Sequence, residues 1–260
     1  MGSESLRMAL QVLVRNPGRS TLTVLGLAIG VSAFIAMVAF GQGARRAVLT
    51  QFENLGANML RVRPKAAAND IVSKPALPLS DEDVAALRHD ATAIGRVVPH
   101  VRRTADFAHG GTRIRSTLYG TEPDYGILHD FRTTSGGMFD ERDLREASKV
   151  CVLGASVGRK LFRDDEPLGG VVMIAGRFPC RVVGVLQGKG RGISGSDLDD
   201  FALMPATTYK QLLGMDGYAN IELQPAQPGW LETARKEADE IMRRRHRLTP
   251  DEPADFDVWS

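Results

Sequence analysis

Cysteine is nearly absent from this sequence of 260 residues, and aromatic residues make up only 6%. The two cysteines, Cys151 and Cys180, each sit in an apolar, strand-like run, so they read as buried free thiols rather than a disulfide. Charge of one sign is also lacking. Lys and Arg number 33 against 31 Asp and Glu, a net charge of +2. That balance implies no strongly charged partner. A nucleic-acid footprint is excluded too, because it needs a clustered basic face with aromatics.

Catalytic and metal-binding patterns are equally scarce. Gly188-Lys189-Gly190-Arg191-Gly192 holds glycines but not the P-loop spacing, and no helical run follows. Gly192-Ile193-Ser194-Gly195-Ser196 misses the nucleophile elbow, since Ser196 stands where the last glycine is needed. Asp197, Asp199 and Asp200 could offer oxygen ligands to calcium, but the rest of a calcium loop is missing. They are expected to start a strand, pair with arginines or meet a partner subunit. His89, His100, His109, His129 and His246 never approach metal-ligand spacing and read as ordinary surface or semi-buried residues. No catalytic, cofactor-binding or metal residue is therefore nominated, and the chain is not expected to be an enzyme.

What is present is one long run without charge, Ser20 to Phe40. At a rise of about 1.5 Å per residue, such a run of about 21 residues spans the ~30 Å core of a bilayer. Only a helix satisfies its backbone there, so residues 20–41 read as a transmembrane helix. The run is longer than a signal-peptide core, and Phe40-Gly41-Gln42-Gly43-Ala44 is a poor cleavage site. Gly26, Ala28, Gly30, Ser32, Ala33 and Ala36 leave small patches on it, either for a second helix or as ordinary membrane residues. Arg7, Arg15 and Arg19 before the span and Arg45 and Arg46 after it do not fix the orientation by charge. The long remainder after the span is the part expected to be translocated.

Before the span, Leu6, Ala9, Leu10 and Leu13 share one helical face, so residues 1–19 read as an amphipathic helix, on the bilayer surface or packed on a partner, ended at Asn16-Pro17-Gly18. Residues 42–56 continue the span as a stalk, with Gly56 a natural stop. Beyond it come a strand at 58–62 stopped by Pro64, a helix from a Ser80-Asp81-Glu82-Asp83 capping box to about Arg88, and a strand at 96–101. The pattern returns near the end. Strand 219–223 leads to a helix opened by Pro228 and carrying Trp230, Ala234, Ala238, Ile241 and Met242, then to strand 256–259. Between them lie hairpins at 107–118, around Gly110-Gly111, and at 170–186, around Ala175-Gly176, with a buried strand at 149–153. The expected fold is α+β: one N-terminal transmembrane helix followed by a two-lobed extracytoplasmic domain. A split strand–helix–strand lobe, 57–119 and 206–260, holds an inserted, mostly β lobe, 120–205. Arg243-Arg244-Arg245-His246-Arg247 ends the last helix, where its dipole favours cations, as a solvated face or a contact with lipid headgroups.

These residues carry a resemblance. NPGRSTLTVLGLAIGVSAF resembles the first membrane helix of MacB/FtsX-type ABC transporter permeases, and LGANMLRVRP its first extracytoplasmic strand. LHDFRTTSGGMFDERDLREASKVCVLGASVGRKLF, DEPLGGVVMIAGRFPCRVVGVL and DLDDFALMPATTY are similar to the family's periplasmic core domain. The resemblance implies a permease in the inner membrane with a cytoplasmic N-terminus and a periplasmic main domain. It implies a separate ATP-binding subunit or domain, a second permease copy, and a periplasmic adaptor or outer-membrane partner. ATP hydrolysis would move the periplasmic lobes to drive export or lipoprotein release. Family members continue with further membrane helices, whereas this sequence stops at Trp259-Ser260, so it is expected to be a truncated gene product or an N-terminal piece of a longer permease. The alternative is a periplasmic binding or adaptor module anchored by one helix, without transport activity.

Overall fold

The computed structural model describes residues 17–54, 59–65, 78–192, 195–214, 216–249 and 251–260. The amphipathic segment at 6–13, the stop at Gly56 and Ser194 lie outside the described residues. The chain divides into two compact units, Met1–Leu55 and Gly56–Ser260.

Among the described residues the first unit is one unbroken helix, α1 (Pro17–Asn54). The helix starts at Pro17, where the missing N–H is no loss, while the segment that Asn16-Pro17-Gly18 is expected to end lies outside the described residues. Within α1, Ser20–Gly43 is long and apolar enough to cross a membrane, and none of its apolar window is buried.

The second unit is built on one sheet of mixed strands. In chain order its elements are β1 (Leu60–Pro64), α2 (Asp81–Asp90), β2 (Ile94–His109), β3 (Thr112–Thr121), α3 (Asp124–Leu128), β4 (Thr133–Gly136), α4 (Glu141–Glu146), β5 (Val150–Leu153), α5 (Ala155–Phe162), β6 (Val171–Ile174), β7 (Phe178–Leu186), β8 (Phe201–Pro205), α6 (Ala206–Leu213), β9 (Asn220–Pro225), α7 (Leu231–Arg245) and β10 (Phe256–Trp259). Their order across the sheet is β10-β1-β9-β2-β3-β8-β5-β7-β4, with β6 bridging β2 and β7.

The first and last strand–helix–strand units do share a sheet. α2 and α7 press Val84, Leu87, Ala234, Ala238, Ile241 and Met242 onto Leu60, Val62, Val97, Ile221, Leu223 and Phe256 in one core. The capping box at α2 is present: Asp83 N–H donates to Ser80 Oγ, and Ser80 N–H to Asp83. Two boundaries differ from expectation. β1 runs through Pro64, which stands opposite Phe256 on the β10 side. α7 begins at Leu231, so Trp230 caps the helix from outside and stays partly exposed instead of joining the apolar face.

The larger difference is β2. Residues 96–101 and the first arm of the 107–118 hairpin are one continuous strand. Its first half pairs with β9 and its second half with β3, and His100 stands opposite both Asn220 and Thr121 at the handover. β2, β3, β8, β5, β7 and β6 then pair in turn and β6 returns to β2, closing a ring. Phe107, Leu118, Cys151, Leu153, Val172, Ile174, Val182 and Met204 fill it, with Val157, Leu161 and Phe162 of α5. The ring thus draws β3 and the second half of β2 in with the strands of the 120–205 segment. On β5, Cys151 and Leu153 face the ring core while Val150 and Val152 face a third core with Val98, Tyr125, Leu128 and Leu203. Burial on both faces explains the unbroken apolar run there.

The expected hairpins form. Gly110 and Gly111 take φ of 50° and 84°, and Ala175 and Gly176 take 51° and 73°, the positive values that tight hairpin turns require.

Candidate functional junction

The flanking strands and the ring meet in a compact polar and aromatic cluster. Alternation along β9 puts Ile221 and Leu223 into the helix-covered core and turns Glu222 to the opposite face of the sheet. That face is covered by α3 and the turn after it, so Glu222 is buried, with a side chain only 2% exposed. Its carboxylate holds two partners. Arg61 Nε, from β1, donates to Oε1 at 2.9 Å, and His129 Nε2, from the turn after α3, lies 2.7 Å from Oε2. A carboxylate oxygen accepts, so Nε2 carries the proton.

Beneath α3 lies His100. Its Nε2 meets Asn220 Nδ2 at 3.3 Å, while its Nδ1 is buried without a partner. An unmatched buried donor costs roughly 1–3 kcal/mol. Rings pack around it: Tyr125 edge-on at 5.6 Å and Tyr119 at 5.8 Å, with His129 4.2 Å from Tyr125 and Phe131 5.5 Å from His129. Lys189 closes the outside. Its Nζ donates to His129 O at 2.6 Å and lies 4.6 Å over the Phe131 ring.

Burial and charge set the protonation states. Burial pushes the Glu222 carboxyl up, but the His129 hydrogen bond and the charges of His129, His100 and Arg61 outweigh it and leave its pKa at about 2. Burial lowers His100 to about 4, against the pull of Glu222, so it is neutral at pH 7. Burial, reinforced by Glu222, pushes the Tyr125 hydroxyl well up. The cluster therefore holds one ionised carboxylate against the Arg61 guanidinium. It offers no activated nucleophile, and no group of metal-ligating side chains occurs among the described residues. What it does is tie segments together: β1, β9, β2, the α3 turn and the Lys189 loop.

Other residues singled out in the sequence serve local structure. Asp199 is buried and anchors the glycine-rich loop, accepting from Lys189 N–H at 2.7 Å and Gly190 N–H at 2.9 Å. Asp197 and Asp200 pair with Lys160, not with arginines, at 3.9 and 3.2 Å, and the strand starts after them at Phe201. His89 bonds Asp90, and His246 bonds Asp255 at 2.8 Å. His109 stacks on Phe162 and bonds Val171 O. The terminal arginines of α7 are engaged within the fold: Arg243 with Asp239, Arg244 with Asp90, and Arg245 with Asp83 and Glu82. Cys151 and Cys180 are free and buried. Sequence reading missed the junction, because Glu222 in an alternating strand reads as facing water. Only the knowledge that β9 is covered on both faces reveals it.

Solved structures share this fold. The extracellular domain of the noncanonic ABC-type transporter YknZ from Gram-positive bacteria aligns with a TM-score of 0.66 at 19% identity, over 78% of this chain and 100% of that one. The periplasmic region of MacB from Actinobacillus actinomycetemcomitans aligns at 0.65 and 21% identity, over 80% and 91%. The architecture is thus that of the extracytoplasmic domains of ABC-type transporters. Curated relatives named macrolide export ATP-binding/permease protein MacB are 35% identical over 226 residues in Syntrophobacter fumaroxidans and 31% over 252 in Chlorobium phaeobacteroides. Those alignments cover 85% and 94% of this chain but 32% and 37% of the relatives, so the chain spans about a third of their length. Residues 20–241 match the family model of the MacB-like periplasmic core domain, and the chain belongs to that family. It corresponds to permease sequence of an ABC transporter, not to the ATP-binding part, and with its apolar helix it is a membrane-anchored chain.

Proposed function

We propose that the chain is a permease component whose periplasmic domain transmits motion driven by ATP hydrolysis elsewhere in the transporter, for export or lipoprotein release. The N-terminus is cytoplasmic, α1 crosses the inner membrane and the remainder faces the periplasm. An ATP-binding subunit or domain supplies the energy, a second permease copy completes the transporter, and a periplasmic adaptor or outer-membrane protein receives the movement. The chain itself is not a catalyst.

The observation that carries this reading is the extent of the family match. It starts at Ser20, inside the apolar helix, and runs to Ile241 in α7, so span and domain belong to one family unit. A junction of paired charges and packed rings suits a part that passes on force.

The test is sided labelling. Thr104 is exposed on β2, whereas Cys151 and Cys180 are buried. A Thr104→Cys variant is expected to react with an impermeant maleimide in cells whose outer barrier alone is opened, and to co-purify with an ATP-binding subunit. Reaction only after the inner membrane is broken sinks the periplasmic placement. Correct sidedness without any ATP-binding partner favours the single-helix adaptor instead.

A further inference from the structure

We infer that residues 122–131, α3 with its flanking turns, form a strap that lifts from the sheet as one unit and so loosens the ring from the flanking strands, with His129 on Glu222 as its catch.

The strap's backbone is self-contained. Tyr125 N–H bonds Glu122 O, Gly126 N–H bonds Pro123 O, His129 N–H bonds Tyr125 O, Asp130 N–H bonds Ile127 O, and Phe131 N–H bonds Gly126 O. These bonds stay within the segment, so lifting it breaks no rung of the sheet. Side chains hold it down at both ends. Glu122 pairs with Arg88 of α2, Asp124 with Arg96 of β2 at 3.2 Å, and His129 with Glu222 of β9. Between them Tyr125 and Leu128 seat in the third core with Phe131 packed against it, while Ile127 is 61% exposed.

The closed state also stores a penalty under the strap, since His100 keeps an unpartnered ring nitrogen there. Lifting the strap lets water reach it. His100 stands where β2 leaves β9 for β3, so the strap covers the point at which the flanking strands hand over to the ring. A segment can open locally while the rest of the fold stays closed, and beside its apolar seat this one is fastened by polar ties that can be broken singly.

The inference deepens the permease reading, since a domain that passes on motion needs a joint. Its test needs neither ATP, partner nor cargo, so its failure leaves that reading standing. Hydrogen exchange is followed on the full chain in lipid nanodiscs at pH 7. Amides of 122–131 are expected to exchange faster than those of β5 and β7. The His129→Ala variant is expected to speed them by about ten-fold while ring amides hold steady. The His100→Phe variant, which removes the stranded nitrogen and keeps a ring against Tyr125, is expected to slow them. If 122–131 exchanges only in step with β5 and β7, in the native chain and in both variants, the strap does not exist as a separate unit. An unchanged rate in His129→Ala removes the catch.

Discussion

Glu222 and His129 are 93 positions apart in sequence, yet the imidazole Nε2 rests 2.7 Å from the carboxylate in a site almost closed to water. Breaking such a pair from one side leaves a buried charge short of a partner. Arg61 still holds the other oxygen, and at 36% exposure it keeps contact with water. The His129→Ala variant is therefore expected to lose about 2–3 kcal/mol, below the full cost of an orphaned ion. Replacing both, His129→Leu with Glu222→Leu, is expected to recover much of that loss, because no carboxylate is left without its partner. Urea denaturation followed by the fluorescence of Trp230 and Trp259 measures both. Equal losses in the single and double variants would refute the account.

Acid acts on the same cluster in two windows. His100 is lowered from 6.5 to about 4. The unfolded chain therefore binds its proton first, and stability falls as pH drops from 6.5 towards 4. Glu222 is lowered from 4.5 to about 2, so its contribution is complete above 4.5 and is lost as pH falls from there towards 2. Each window is worth on the order of 3 kcal/mol. Denaturation midpoints measured from pH 7 to pH 3 are expected to decline throughout, and His100→Phe is expected to flatten the upper part alone.

The parts legible in the sequence are those set by local rules. The uncharged run, the Ser80 capping box and the Gly110-Gly111 turn each depend on neighbours a few residues away, and each is found. The sequence pattern splits β2 into two pieces because its partners change at His100: alternation is judged against one burying surface, and this strand meets two. Closure of the ring was not legible, because β6 returning to β2 is a pairing across more than sixty residues that no periodicity encodes. The junction was missed for a related reason. His100 and His129 read as ordinary in the sequence, and it is α3 lying over them that joins them to Glu222.

Turn chemistry gives a third prediction. Ala175 holds φ of 51°, a left-handed conformation that crowds its Cβ. Nothing suggests a compensating role, since the turn lies at the ring's surface and Ala175 is exposed. Ala175→Gly is expected to stabilise by about 1 kcal/mol. Gly120→Ala should do the reverse by more, because a Cβ there would stand 2.4 Å from Tyr209 Cβ in a fully buried site. Thermal melts of the two variants against the parent decide both signs.

The thiols provide a probe of the ring as a whole. Cys151 on β5 and Cys180 on β7 are 0% and 1% exposed. The neighbouring Cys180 thiol, with burial, pushes the Cys151 thiol well up. Alkylation needs both access and the thiolate, and the fold denies both. β5 is paired on one side to β7 and on the other to β8, while β7 is held by β4, β5 and β6. Neither cysteine can reach solvent by fraying of an edge strand; the ring itself has to open. Both are therefore expected to resist iodoacetamide in the native chain and to react together once urea passes the unfolding midpoint, as mass spectrometry would read. Reaction of either one well below that midpoint would mean the ring opens locally, and the pairing of β6 with β2 would be the first contact to suspect.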